Sequence, residues 1–257
     1  MNLLLLGNSN ESVQWFEGGE TSEDIVRRRW SEEFGQPAEV TAKSIWPDVK
    51  FPATLEKWLV KYQPDIVYLK TVSFWFSHES VPLKLERIGG RLGKKLGKAG
   101  LDAASNRTLS HNVPFRLLRN LAQRTIGGDT NFSTADVIDC LSECIRIVLQ
   151  REGTVLVVSG PGGRVNYAVT RRKQKRNEQR RQRVDQSLQS LCAQLHVEYE
   201  GAEEPQWRSP LWKRQHVGDG IHFNAAAAAR RGDLMFESIR SAWVMEQARY
   251  ETPLRSG

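Results

Sequence analysis

Short apolar runs that end at turn residues alternate with longer stretches whose apolar residues recur every three to four positions. This alternation constrains the fold more than any other feature of the chain. Asn2 to Leu6 is such a run, closed by Gly7, and Ala38 to Ala42, Asp65 to Leu69, Thr154 to Val158 and a short run near His196 to Tyr199 follow it. Each predicts a strand. Between them, Thr21 to Phe34 carries Ile25, Val26, Trp30 and Phe34 at helical spacing and stops at Gly35, while Pro52 to Tyr62 sets Leu55, Trp58, Leu59 and Tyr62 on one face. A further helix, capped by Ser133 or Thr134 and ended by Gly153, carries Val137, Ile138, Leu141, Ile145 and Val148. The next bears Val184, Leu188, Leu191 and Leu195, and the last runs from about Asn224 to Gln247 with Phe236, Ile239 and Trp243 inward. Helix N-caps and a C-terminal glycine delimit these segments as expected. Strands separated by helices pair through crossovers, which predicts a mainly parallel five-stranded sheet covered by helices on both faces.

The alternation breaks once. Residues 74–131 are rich in glycine, basic and aromatic residues and exceed the usual length of a connection, so they are read as an inserted lid or cap in a single domain spanning 1–257. With 39% apolar residues the chain can bury a proper core. The opening MNLLLLGNSN is too short for a membrane span and lacks a basic flank or cleavage site. Cys140, Cys144 and Cys192 are an odd number of thiols at no metal-ligand spacing, which argues against a disulfide framework and makes a cytoplasmic setting the expectation. The histidines outside the last block are scattered, so neither a metal centre nor a cofactor is expected. The net charge of +7 concentrates in two clusters, one from Lys84 to Lys98 and a denser one from Arg171 to Arg183.

In an open parallel sheet, ligands sit beyond the carboxyl ends of the strands. The segments to weigh are therefore Gly7 to Asn10, Lys70 to Ser73 and Ser159 to Gly163. Ser9 directly follows the first strand. A serine hydroxyl is a weak nucleophile at neutral pH and needs a base, commonly a histidine oriented by a carboxylate. Asp219-Gly220-Ile221-His222, just before the last helix, provides that pair on one turn. Ser9 also suits a helix N-cap, and Ser159-Gly160-Pro161-Gly162-Gly163 suits a turn better than a phosphate cradle, because the Lys-Ser/Thr tail of a P-loop is missing.

Ser9 after an N-terminal strand, Pro64-Asp65-Ile66-Val67, the Val157-Val158-Ser159-Gly160-Pro161 exit and the Asp219 to Asn224 stretch, in that order, resemble the SGNH or GDSL hydrolases. The resemblance implies a flavodoxin-like three-layer α/β/α fold and ester hydrolysis or acyl transfer through a Ser9 acyl-enzyme, with His222 as base and Asp219 orienting it. It spans most of the chain outside the insertion. Asn8 stands where the family carries Asp. Lys70-Thr71-Val72-Ser73 replaces the family's Gly-x-Asn-Asp, and no glycine occurs between Gly35 and Gly89 to supply the second block. The oxyanion donors then expected are the Ser9 amide, Thr71 or Ser73, and a backbone N–H near Ile45 or Trp46.

Asn8, Asn10, Phe74, Trp75 and Arg164 are expected to contact a small-molecule ester substrate, with the basic run favouring an anionic one. The aromatic triplet Phe74-Trp75-Phe76 equally suits packing between lid and body, and a basic run such as Arg171 to Arg183 is most often a solvated helix face or mobile loop. Two other functions stay open: a catalytically impaired binding module, and a binder of anionic ligands or nucleic acid through the basic clusters. Aromatics are not interleaved with those clusters, which argues against single-stranded nucleic acid.

Overall fold

The computed structural model describes residues 1–7, 19–77, 79–90, 95, 114, 117, 121–122, 124–162, 170–201 and 224–251. In chain order the described elements are β1 (Asn2–Gly7), α1 (Ser22–Phe34), β2 (Glu39–Ser44), α2 (Phe51–Tyr62), β3 (Ile66–Lys70), α3 (Phe74–Ser77) and α4 (Val81–Ile88). They continue with α5 (Thr134–Leu149), β4 (Val155–Ser159), α6 (Arg171–Gln194), β5 (Glu198–Glu200) and α7 (Ala225–Glu251). The strands form one sheet in the order β2-β1-β3-β4-β5, and every adjacent pair is parallel. Winding reverses between β1 and β3, which puts the crevice of this sheet beyond Gly7 and Lys70.

Side-chain alternation along the strands builds two cores. Leu4, Leu6, Val67, Leu69, Leu156 and Val158 face Leu55 and Leu59 of α2, Leu141 and Ile145 of α5, and Val184 and Leu188 of α6. Leu3, Leu5, Ile66, Tyr68, Val155 and Val157 face Val26 and Trp30 of α1 and Met235, Phe236 and Ile239 of α7. The central strands are covered on both sides and so read as continuous apolar runs, whereas edge strands β2 and β5 carry Glu39, Thr41, Lys43, Glu198 and Glu200.

The helix limits follow from local chemistry. Thr21 and Asp24 form a reciprocal capping box at the start of α1, and Gly35 ends it in the left-handed conformation at φ 66°. Ser133 and Asp136 repeat the capping box at α5. The strands β2, β3, β4 and β5 each end one or two residues later than the apolar runs predict, because ladder hydrogen bonds and not hydrophobicity set their ends. The larger difference is at α6. The basic run lies inside this helix instead of leading into it, since Thr170 accepts a hydrogen bond from the Lys173 amide and the following Arg, Lys and Gln residues are good helix formers.

Helices α1 and α7 run side by side in the same direction. Ser22 Oγ donates to the Ala228 carbonyl at 3.0 Å, Arg29 reaches Asp233 at 2.9 Å and Glu237 at 2.7 Å, and Arg240 reaches Glu33 at 2.7 Å. The close approach depends on Gly232, where an added Cβ would lie 2.8 Å from Ile25 Cβ.

The segment expected as a lid leaves and returns through one neck. Ser80 and Asp129 exchange backbone hydrogen bonds at 2.8 and 3.1 Å, the Phe132 amide donates to the Trp75 carbonyl at 3.0 Å, and Lys84 Nζ donates to the Ile126 carbonyl at 2.7 Å. Most of residues 91–123 lie outside the described residues.

Candidate active site

Asn8, Ser9, Asn10, Arg164, Asp219 and His222 lie outside the described residues, and Gly7, Gly162 and Asn224 are the described residues nearest to Ser9, Arg164 and His222 in the chain. Strand β1 ends at Gly7, whose carbonyl accepts from the Ile45 amide at 3.0 Å. The pairing of Leu6 with Leu69 carries Gly7 to the level of Lys70, and Lys70 pairs with Ser159. At the other end of the chain, Asn224 Oδ1 accepts from the Ala227 amide at 3.0 Å and so caps α7. Helix α1 must start at the carboxyl edge because it follows β1, and α7 starts beside it through the Ser22–Ala228 contact. Gly7 and Asn224, two residues from Ser9 and His222 respectively, therefore lie at the same edge of the sheet.

A buried polar network holds that edge together. Arg231, in the second turn of α7, donates to Glu200, to the Tyr68 hydroxyl and, at 2.9 Å, to Ser159 Oγ. Tyr68 donates to the second Glu200 oxygen at 2.6 Å, and Ser238 Oγ lies 3.3 Å from it. Arg231 is 8% exposed and Tyr68 is fully buried. Burial pushes the Tyr68 hydroxyl well above its ordinary pKa, with the Arg231 charge opposing, so it remains a donor. Sequence reasoning passed over these residues. The signal was there for Arg231, which sits four residues from both Ala227 and Met235 and so interrupts the inward face of α7 with a cation. Lys70 is a second buried cation, 5% exposed, on the Tyr68 side of β3 between Gly7 and Ser159.

Beyond β3 the expected oxyanion residues differ in their engagements. Ser73 Oγ donates to the Gly162 carbonyl at 2.7 Å, so its proton ties the β3 exit to the β4 exit. Thr71 is fully buried, its amide donates to the Ser159 carbonyl at 2.8 Å, and its hydroxyl has no hydrogen-bond partner among the described residues. The Ile45 amide is spent on Gly7, while the Trp46 amide meets no acceptor among the described residues.

The two aromatics expected to line a pocket part company. Trp75 is 2% exposed and belongs to the core, whereas Phe74 is half-buried and meets the Trp46 ring edge-on at 6.4 Å. Consecutive residues on the one-turn helix α3 point about 100° apart, so both cannot face one cleft. Trp46 also approaches Phe132 at 5.9 Å and remains 47% exposed, forming an aromatic shelf at the β2 exit that the sequence signalled only through its backbone.

A second charged cluster stands beside the Ser80–Asp129 bridge. Glu79 is buried, and Lys173 at 3.1 Å, Arg176 and Arg180 at 3.9 Å converge on it from one face of α6. Burial raises the Glu79 pKa, but hydrogen bonds from Lys173 and Arg176 outweigh it and leave the carboxyl below its ordinary value. Arg181 instead pairs with Glu178 at 2.6 Å within the helix. Part of the basic run is thus a set of tertiary ion pairs, while Arg171, Arg172, Lys175 and Arg183 are exposed.

Among the described residues no group of His, Cys, Asp and Glu could hold a metal ion, and no helix is long and apolar enough to cross a membrane. No family model matches the chain, and no curated protein matches it. Solved structures do. TesA superposes with a TM-score of 0.54 at 16% identity, covering 94% of this chain and 99% of that one. The psychrotrophic esterase EstA from Pseudoalteromonas sp. gives 0.54 at 12% identity, covering 95% and 98%. A GDSL-like lipase from Parabacteroides merdae gives 0.51 at 10% identity, covering 93% and 94%. The chain has the SGNH fold. The likeness covers 94% of this chain, and in open parallel sheets of this kind ligands sit beyond the carboxyl ends of the strands. At such identities it is a likeness of fold, and activity has to be argued from the residues of the edge itself.

Proposed function

We propose that this chain hydrolyses an ester, or transfers its acyl group, through a covalent intermediate on Ser9. The observation that carries this reading is the common position of Gly7 and Asn224 at the carboxyl edge. It leaves only one intervening residue on each side between a described, anchored backbone and the serine or the histidine. In the reaction, His222 takes the Ser9 proton as Oγ attacks the carbonyl carbon, and Asp219 holds the imidazole in the tautomer that can accept it. The imidazolium returns the proton to the leaving alcohol, and a water or second alcohol then repeats the sequence on the acyl-enzyme.

The developing oxyanion needs donors that await it without a competing partner. Among the described residues the Trp46 amide and the Thr71 hydroxyl fit that need, and the Ser73 hydroxyl fits it less well because its proton is held by Gly162; the Ser9 amide is the third donor of this reading. Thr71 then stands in for the asparagine side chain of the family. Asn8, Asn10 and Phe74 border the substrate, with Trp46 as an apolar wall, and Arg164 joins them from the β4 exit. Residues 74–131 cover the site as a lid whose neck is the Ser80–Asp129 bridge.

The purified chain is expected to form a covalent adduct with a fluorophosphonate probe, lost on Ser9→Ala and on His222→Ala. Labelling that persists in Ser9→Ala would reject Ser9 as the nucleophile. A second reading, a binding module without turnover, is favoured by Lys70-Thr71-Val72-Ser73 in place of Gly-x-Asn-Asp. It predicts no adduct with the wild-type chain.

A further inference from the structure

Along the first half of α6, Lys173, Arg176, Asn177 and Arg180 occupy positions three, four and seven residues apart, which places them on one face. That face meets Glu79 at the neck of the insertion. Three cations surround one carboxylate, and the set is incompletely satisfied. Arg180 Nη1 is buried and has no hydrogen-bond partner among the described residues, since Glu79 Oε1 at 3.9 Å is an ion-pair neighbour beyond hydrogen-bond reach. One turn away, Asn177 Oδ1 is buried and equally without a partner among the described residues. Buried polar atoms are nearly always hydrogen-bonded, so an orphaned guanidinium nitrogen and an orphaned amide oxygen on the same face call for an occupant. A neutral apolar group would leave both desolvated and unpaired, at a cost that grows with the charge.

We propose that Arg180, Arg176 and Asn177 form a subsite for a compact oxyanion, a carboxylate or phosphate group carried by the ester substrate away from its scissile bond. Resting on the hydrolase reading above, it names the substrate class of that site. The subsite lies on the ligand side of the sheet: α6 is reached from the β4 exit, and Glu79 lies two residues beyond α3, the helix that follows β3. Arg180, whose side chain is 30% exposed, and Arg176, at 51%, offer guanidinium N–H groups to an anionic oxygen in the geometry that suits carboxylate and phosphate. Asn177 accepts from a hydroxyl of the ligand or, with its amide turned, donates to a second oxygen. Burial and the Arg176 charge lower the Arg180 pKa while Glu79 raises it, consistent with a cation that its carboxylate neighbour only partly compensates. Glu79 competes with the ligand for the same cations, so the subsite is tuned below full strength by a residue of the neck.

Two measurements on the full chain test this apart from the chemistry at Ser9. Inorganic phosphate and succinate are titrated by calorimetry against wild type, Arg180→Ala, Arg176→Ala and Glu79→Gln, with circular dichroism confirming the fold of each. Binding of at least one anion is expected, weakened about tenfold or more by either arginine change. Glu79→Gln should tighten it about fivefold, because a competing charge within 4 Å has been removed. If the cluster only latched the neck, Glu79→Gln would lower thermal stability without raising anion affinity. That result, or no anion binding by the folded wild type, overturns the proposal.

The kinetic arm compares the 4-nitrophenyl monoester of succinate with 4-nitrophenyl butyrate. Arg180→Ala should lower kcat/KM about tenfold for the charged ester and leave the neutral one unchanged, and equal losses on both overturn the assignment to substrate. Should no ester be turned over while anion binding responds as stated, the hydrolase reading fails and the anion site stands.

Discussion

Ser22 and Ala228 lie 206 residues apart in the chain and meet at the first turns of α1 and α7, where Ser22 Oγ donates to the Ala228 carbonyl at 3.0 Å. The contact is buried and sits where both helices begin, so the segments that precede them enter the carboxyl edge side by side. One turn further along, Gly232 lets the helices close on Ile25. Replacing Gly232 by Ala adds a methyl 2.8 Å from Ile25 Cβ, and β-branched Ile25 cannot turn away at that atom. Overpacking of this kind costs about 1 to 3 kcal/mol against a gain of about 1 kcal/mol in helix propensity. Net destabilisation by urea unfolding is expected, and adding Ile25→Ala, which keeps Cβ but removes Cγ2 and Cδ1 at 2.9 and 3.1 Å, should make the double mutant lose less than the sum of the single changes. An additive double mutant would show that the two positions do not touch.

Arg231 is held by Glu200, Tyr68 and Ser159, from three adjacent strands. Arg231→Ala leaves the Glu200 carboxylate buried without its cation, which for a pair of this burial costs about 3 to 5 kcal/mol. Tyr68→Phe removes the two hydrogen bonds of the Tyr68 hydroxyl, to Glu200 and from Arg231, but leaves the ion pair in place and should cost less, about 1 to 2 kcal/mol. Denaturant unfolding of the two variants checks the order, and an Arg231→Ala protein of wild-type stability would contradict it.

Thr71→Val is the informative change at the β3 exit. The Thr71 hydroxyl is buried without a partner among the described residues, so an isosteric methyl should leave stability unchanged or raise it by about 1 kcal/mol. If the hydroxyl is an oxyanion donor, kcat should fall about 10²-fold at nearly constant KM. A stable Thr71→Val variant with full activity would remove Thr71 from the oxyanion hole. Ser73→Ala should show the opposite pattern, a loss of stability from the Gly162 contact with a smaller effect on kcat.

The Glu79 carboxyl has a folded pKa below its ordinary value of 4.5. Its ionised form is therefore favoured by folding, and the contribution is fully present above the ordinary value and is lost as pH falls through the lowered one. The stability difference between wild type and Glu79→Gln should be constant near neutral pH and shrink as the solution becomes more acid than about pH 4.5. Melting curves across that range test the sign. A difference that grew on acidification would mean that Glu79 is held protonated.

Cys140, Cys144 and Cys192 are all buried. Burial pushes the Cys192 thiol up to about 12, and a hydrogen bond with Cys140, followed by burial, raises Cys144 further. Since the thiolate is the reactive form, the native protein at pH 8 should resist a thiol-specific reagent that titrates three groups after unfolding. Rapid labelling of the native state would place a thiol at the surface.

Periodicity in the sequence was enough to lay out the strands, the helices that separate them and the parallel sheet, because burial on both faces demands uninterrupted apolar runs and crossovers leave few topologies. Gly35, Thr21, Ser133 and Asn224 marked helix ends through chemistry confined to one turn. Ser9 and the Asp219/His222 pair stood out by position and type alone. What the sequence could not decide depended on partners distant in the chain. Whether Thr71 or Ser73 keeps a free hydroxyl turned on a carbonyl 89 residues away at Gly162, and which of Phe74 and Trp75 reaches the surface turned on the direction of α3. The basic run looked uniform in sequence, yet folding divides it by helical face into cations that converge on buried Glu79 and cations left in water. Composition counts charges, but only the three-dimensional packing selects which of them lose their solvent and must find one another.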